Sequence, residues 1–374
     1  MERLLSDEQR IDWLRLIMSE NVGPATFRTL VNRFGGAAQA LANLPDLYRR
    51  GGMTGRQRIY SREEAARDIE RARALGARFV AIGEAGYPPL LRQIYKAPIL
   101  LCMKGNPAVL ELPAAAVVGA RSASALGLKF TRQLATALGA AGFVVVSGLA
   151  RGIDTAAHQS ALPHGTAAVL AGGIDSIYPP ENAALHAEIG EGGVLISEQV
   201  PGMVPLAKHF PQRNRIIAGL SLGVLVVEAA LRSGSLITAR YAIEQHREVF
   251  AVPGSPLDAR AAGTNRLIQE GAQLVARVED VIDGLGELLR RPPPSAEVFM
   301  QDPFEQPLAP GGHPEVPLAL RERLFALVGA APVSVDDLIA ETGAPAHLVV
   351  AALLELELAG RIQRLASHHV ALAE

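Results

Sequence analysis

Residues 115–127 read AAVVGARSASALG, and this stretch decides the fold. Residues 115–118 have the length and composition of a buried strand, and they stop at Gly119. An amphipathic pattern over about 125–141 then predicts a helix. A strand that ends in glycine and feeds a helix aims free backbone N–H groups and the positive helix end at one spot. That spot favours an anion, most often phosphate. Arg121 brings a planar fork of donors to it, while Ser122 and Ser124 bring hydroxyls to the helix mouth. Gly127 would let the helix lie close on its sheet. The stretch therefore predicts the phosphate cradle of a Rossmann-like α/β domain.

Two nucleotide cradles are excluded. A dinucleotide site needs G-x-G-x-x-G and an acid at the end of the second strand. Here one glycine stands where two are needed, and the second expected strand, 143–146, runs into Ser147. The nucleotide-hydrolysing loop needs Gly-Lys-Ser or Gly-Lys-Thr, and neither occurs. No nucleotide cofactor is expected.

Composition narrows the rest. A chain of 374 residues with 49% hydrophobic content suggests two or three domains with ample core. The net charge of −2 means that a polynucleotide partner has to be held by a local patch. The single Cys102 excludes a disulfide framework and a cysteine zinc cluster, so no metal is expected. The charged start MERLLSDEQR has no signal-peptide core. The most apolar run, 216–227, is too short for a bilayer and is broken by Gly219, Ser221 and Gly223. A cytoplasmic protein with no membrane partner is the expectation.

In chain order, residues 1–75 read as a helical domain. Its NVGPATFRTLVNRFGGAAQAL, 21–41, is similar to a helix-hairpin-helix, whose glycine turn would offer N–H groups to a DNA phosphate. A turn that merely caps two packed helices fits the same residues. From 76 to 290 strands alternate with helices. Strands are expected at 79–82, 99–103, 115–118, 143–146, 167–170, 194–196, 223–227 and 249–252, which predicts a doubly wound parallel sheet. Residues 291–316 hold seven prolines with little periodicity and read as a linker. Residues 317–374 then have the outline of a winged helix, with helices at 318–327, 334–339 and 345–358 and a small β wing. The recognition helix of that outline, AHLVVAALLELELA, carries Glu355 and Glu357 but no Lys or Arg. A helix meant for a DNA groove should be basic or polar outside, so a structural or protein-contact role is expected.

Further constellations fall at the ends of the predicted strands. SGLARGIDTAAH, 147–158, places Arg151 on the same rim, with Asp154 expected to cap the next helix and His158 to pack. KHFPQRNRIIAGLS, 208–221, gathers Lys208, Arg213 and Arg215 around Phe210, with Asn214 between the two arginines. Cations neutralise phosphates and a ring stacks on an unpaired base, which is what a single-strand groove requires. A solvated basic helix start with a core Phe would look the same. In VVEAALRSGSLITARYAIEQ, 226–245, Glu228 ends a strand where a catalytic carboxylate would sit. The favoured role for Glu228 is to orient Arg121 or Arg151 by an ion pair; Arg240 lies on the helix that follows. GTNRLIQEGA, 263–272, adds another glycine turn.

Taken together, in this order and spacing, these segments resemble the DprA/Smf family, the DNA-processing proteins of natural transformation. The resemblance spans nearly the whole chain: a helical SAM/helix-hairpin-helix-like domain, an extended Rossmann-like domain and a winged-helix tail. It implies a protein that binds single-stranded DNA without sequence specificity and without cutting it, and that loads the RecA recombinase onto it. By motif, the implied DNA pocket falls on Gly119, Arg121, Ser124, Lys208, Phe210, Arg213, Asn214 and Arg215, with Arg151, Glu228 and Arg240 in support. The resemblance also implies a homodimer through the Rossmann-like domain, near residues 267–275. No catalytic residue is implied.

The rival from another class is a Rossmann-type nucleoside-monophosphate hydrolase, with phosphate at 119–124 and Glu228 as acid or base. Its P-G-G-x-G-T-x-x-E signature is absent, and Gly172-Gly173-Ile174-Asp175 is a poor substitute. A transcription regulator acting through the winged helix is a third reading.

Overall fold

In the computed structural model, which describes residues 4–53, 55, 57–290, 316–365 and 368–373, the expected alternation of apolar runs and amphipathic segments becomes a sheet clad by helices. The chain opens with four helices, α1 (Asp7–Met18), α2 (Pro24–Phe34), α3 (Ala37–Arg50) and α4 (Arg62–Ala74). Ser6 and Gln9 close a capping box on α1, and Pro24 opens α2, where its missing N–H is not needed. The central segment follows as β1 (Ala77–Ala81), α5 (Pro89–Arg92), β2 (Leu100–Gly105), β3 (Ala114–Val118), α6 (Ala125–Ala140), β4 (Val144–Ser147), α7 (Ile153–Ala161) and β5 (Thr166–Leu170). It continues through α8 (Ala183–Gly192), β6 (Val194–Ser197), α9 (His209–Leu220), β7 (Gly223–Val226), α10 (Gly234–Glu244), β8 (Glu248–Ala251), α11 (Ala262–Gln269), β9 (Gln273–Leu274) and α12 (Val278–Arg290).

The strand order is β1-β2-β6-β5-β4-β3-β7-β8-β9. β3 to β6 are buried at every position, which is why they read as unbroken apolar runs and not as alternating ones. All eight expected strands are present within a residue or two of their expected limits. One expectation needs correction. The sheet is not wholly parallel, because β2 runs antiparallel to both β1 and β6. The one-turn α5 is no crossover helix, and the chain simply turns back on itself there. β9, two exposed residues at the sheet edge, was too short to leave a pattern.

β3 pairs with β4 on one side and β7 on the other, Ala116 lying opposite both Val146 and Val224. From β3 the chain winds outward in both directions, so the C-terminal ends of β3 and β7 flank the topological switch point where open α/β sheets hold ligands. A core of Val117, Leu134, Leu138, Val145, Ile153, Leu225 and Phe250 fixes α6, α7 and the strands beneath it.

The winged helix comprises α13 (Leu318–Leu327), β10 (Val333–Ser334), α14 (Val335–Thr342), α15 (Ala346–Leu358), β11 (Ile362–Arg364) and β12 (His369–Leu372). Its strands form a separate sheet, β10-β12-β11, over a core of Leu324, Leu338, Val349, Leu353 and Leu356. The chain divides into two compact units: one runs from Arg67 through the large sheet, the other joins Leu4–Ala66 to the winged helix. The proline-rich linker expected at 291–316 lies outside the described residues except for Val316. No single described helix is long and apolar enough to cross a membrane; the α14–α15 pair, bent by 118°, is the helix-turn-helix.

Candidate nucleic-acid interface

The rim at the switch point is built from the loop after β3, the N-terminal turn of α9 and the loop after β5. The loop after β3 leaves the buried strand at Gly119 and presents Arg121 to solvent. Its guanidinium carbon sits 5.6 Å from the ring centroid of Phe210, at the start of α9. Tyr178, on the loop after β5, meets that ring edge-on, with centroids 5.4 Å apart and planes at 62°. Tyr178 is 49% exposed, and Lys208 lies exposed two residues before Phe210. Neither Arg121 nor Lys208 has an ion pair among the described residues. Cation, ring and ring therefore share one open surface, with positive charge beside aromatic faces.

The mouth of α6 is arranged differently from the expectation. Glu228, just past β7, accepts the Ser124 amide at 2.9 Å and the Ser124 hydroxyl at 2.5 Å. Ser124 Oγ in turn accepts the Gly127 amide at 2.9 Å and caps the helix. A Cβ on Gly127 would stand 2.7 Å from the Glu228 carboxylate, so this glycine makes room for the acid. The anion favoured by this helix end is thus an internal carboxylate, and Ser124 is engaged in holding it. The expected ion pair from Glu228 to Arg121 or Arg151 is corrected accordingly: Arg151 pairs with Glu181.

The arginines of α9 are also distributed in a way that spacing alone did not reveal. Arg213 is 7% exposed, and its Nη1 donates to the carbonyls of Val169 and of Gly148, the latter at 2.7 Å. Burial draws its pKa down to about 10, against the opposing pull of Asp154. Asp154 accepts the amides of Gly148 and Ala150, so it ties the loop before α7; the expected cap on that helix is corrected accordingly. Burial raises its pKa. Arg215 is clamped by both oxygens of Glu198, at 2.5 and 2.6 Å. Asn214 donates to the Gly234 carbonyl at 3.2 Å, linking α9 to α10. Arg240 pairs along its own helix with Glu244. His158 is buried, with Nδ1 2.7 Å from the Thr166 hydroxyl, which itself donates to the Val145 carbonyl. That network makes Nδ1 the donor, and burial leaves the imidazole neutral, as the packing role expected of it requires.

The structure therefore brings Gly119, Arg121, Lys208 and Phe210 to one open rim. It places Ser124, Arg213, Asn214 and Arg215 beneath or beside that rim as its supports. Sequence reasoning missed Tyr178. Its signal was available in GGIDSIYPP, since a loop that follows β5 opens on the same strand ends as the other motifs.

Fold and rim together define a Rossmann-type α/β domain that carries a cation-and-ring cluster at its switch point, accompanied by a helical domain and a winged helix. Three domain models match the chain in that order: a DprA-like N-terminal HHH domain over residues 7–71, DNA recombination-mediator protein A over 78–286, and a DprA winged helix domain over 309–368. The chain belongs to the DNA recombination-mediator protein A family, the DprA/Smf proteins. It is 51% identical over 198 residues to the DNA processing protein DprA of Streptococcus pneumoniae, a match covering 52% of this chain and 70% of that one. It is 43% identical over 289 residues to the Smf protein of Escherichia coli, covering 76% and 75%. Among solved structures it is similar to the S. pneumoniae protein, with a TM-score of 0.56 at 45% identity over 60% of this chain and 77% of that one. It is also similar to Helicobacter pylori DNA processing protein A, whose structure addresses a single-stranded DNA binding mode. That match has a TM-score of 0.51 at 31% identity over 54% and 93% of the two chains.

Proposed function

We propose that this chain holds single-stranded DNA at the switch-point rim without reading its sequence, and that it hands the strand to the RecA recombinase during transformation and recombination. The observation that carries this reading is the open cluster of Arg121, Phe210 and Tyr178. A guanidinium and an ammonium supply charge for phosphates, and the exposed Tyr178 ring beside the half-buried Phe210 ring supplies stacking for any base. Duplex DNA offers the phosphates but buries its base faces, so single strands are favoured. Gly119, Arg121, Lys208 and Phe210 form the contact set; Arg213, Asn214, Arg215 and Ser124 hold it in place. Family membership supports the recombination role, and the single-stranded DNA bound by the H. pylori relative supports the ligand.

Glu228 bears on the hydrolase alternative. Held by the Ser124 amide and hydroxyl, it serves as a structural anchor and not as an acid or base poised over a substrate, which supports binding over bond chemistry. Two copies are proposed to associate through the sheet edge at β9, where Leu274 is exposed next to unpaired backbone groups. DNA and a recombinase as partners would place its action in the cytoplasm. The test is a titration of labelled oligonucleotide, single- against double-stranded, with wild type and Arg121→Glu/Lys208→Glu. Single-strand preference lost in the double variant is expected; unchanged affinity would sink the assignment.

A further inference from the structure

We propose that the winged-helix domain is a clasp on the N-terminal helical bundle, with α15 as the clasping helix, and that it does not read duplex DNA. This rests on observations separate from the switch-point rim. In a helix-turn-helix that enters a groove, the second helix keeps its outer face open and polar. Here α15 is buried almost continuously from Ala351 to Leu358, including Glu355, which has no exposed surface at all.

Both sides of the contact are shaped for it. Gly51 ends α3 with φ −67°, a conformation open to any residue. A Cβ there would nevertheless stand 2.0 Å from the Glu355 carbonyl oxygen and 2.8 Å from the Ala359 Cβ, so this glycine serves the approach of α15 alone. Asn21, in the turn between α1 and α2, donates from Nδ2 to the Leu358 carbonyl at 2.9 Å. That carbonyl is one of those a helix end leaves without an intrahelical donor. Arg321 of α13 donates to the Arg50 carbonyl of the bundle, and its Nε lies 3.2 Å from Glu355 Oε2. The Glu355 carboxylate thus sits in the field of Arg321 from its own domain and of Arg50 and Arg33 from the bundle. A buried carboxylate stripped of its cations is strongly unfavourable, so the bundle supplies what this acid needs. A polynucleotide would supply the opposite charge. The acidic character of α15, ill suited to DNA, suits the arginines it meets.

Hydrogen exchange on the full chain tests the clasp. Gly51→Leu should wedge α3 from α15. Amides of residues 37–50 and 346–358 should then exchange at least tenfold faster, while those of the large sheet and the affinity for single strands stay at wild-type values. Wild-type protection in that variant would overturn the proposal. Should Gly51→Leu unfold the unit outright, Glu355→Gln keeps the shape and removes the charge; faster exchange of both segments is expected, and no change overturns the clasp. Protection that falls on dilution would assign the bundle to a second copy and overturn the intramolecular form. His347→Ala and Val350→Ala, exposed near the start of α15, should leave duplex binding unchanged, and a tenfold loss would restore the DNA-reading role.

Discussion

Phe210 and Tyr178 do different work from the arginines around them, and substitution should separate the two. Removing a stacking ring costs about 1–3 kcal/mol per base, or roughly a 5- to 150-fold loss in affinity. Phe210→Ala and Tyr178→Ala are each expected to weaken oligonucleotide binding within that range without altering its salt dependence. Abasic oligonucleotides should remove the difference from wild type, and a ring variant that loses affinity equally on abasic strands would contradict stacking. His158 gives a prediction of another kind. Burial, with Arg213 adding to it, lowers its pKa from the ordinary 6.5 to about 3. The unfolded chain therefore takes up a proton near pH 6.5 that the folded chain refuses, and stability falls as pH drops from there toward 3. The slope is about 1.4 kcal/mol per pH unit. Asp154, whose pKa is raised by burial, acts in the opposite sense, so the diagnostic is a difference between proteins. In urea unfolding between pH 7 and 5, His158→Gln should lose less stability on acidification than wild type; parallel curves would remove His158 from the account.

At the scale of elements, the junction between β7 and α6 makes its own prediction. Glu228→Gln weakens a charged hydrogen-bond pair at the helix end, a loss of about 1–2 kcal/mol. Thermal unfolding of the large-sheet unit should shift downward, while single-strand affinity holds or rises because a carboxylate leaves the rim. A collapse of binding in a folded Glu228→Gln protein would place the carboxylate in the ligand site after all. This junction also shows what was legible in advance. β3, β4, β5 and β6 were readable because parallel strands buried on both faces leave continuous apolar runs, and α6 was readable from its periodicity. The five motifs fell at strand ends because α/β folds gather their ligand loops there. The division of labour inside each motif was not legible. Arg213 and Arg215 look alike in KHFPQRNRIIAGLS, yet α9 turns one onto carbonyls at the ends of β4 and β5 and the other onto Glu198. Glu198 lies in a different loop, and Glu228 meets Ser124 across 104 residues of chain; pairings of that range leave no periodic trace. The acidic face of α15 was legible as unsuited to DNA, but its Arg50 and Arg33 partners belong to the far end of the sequence.

For the whole molecule, the electrostatics of binding follow from which cations remain available. The chain carries a net charge of −2, so no general attraction draws it to a polyanion. Around the switch point most arginines already have carboxylate partners: Arg151 has Glu181, Arg215 has Glu198, and Arg240 has Glu244. Arg213 is buried on backbone carbonyls. Arg121 and Lys208 remain open. Each phosphate neutralised on a single strand contributes about 0.7 to the slope of log affinity against log salt. Arg121 and Lys208 as the contact cations therefore predict a shallow slope of about −1.4 for one protomer. Arg121→Ala and Lys208→Ala should each flatten it by about 0.7, and the double variant should bring it close to zero. Arg240→Ala, whose charge is matched by Glu244, should leave it nearly unchanged. The exposed Arg151–Glu181 pair is weak enough to open toward a phosphate. A wild-type slope steeper by one further step, removed by Arg151→Ala, would show that it does so. Titrations across a range of salt concentrations with a short homopolymer decide among these outcomes. A slope several units steeper that survives the Arg121/Lys208 double variant would move the polynucleotide to another surface of the chain.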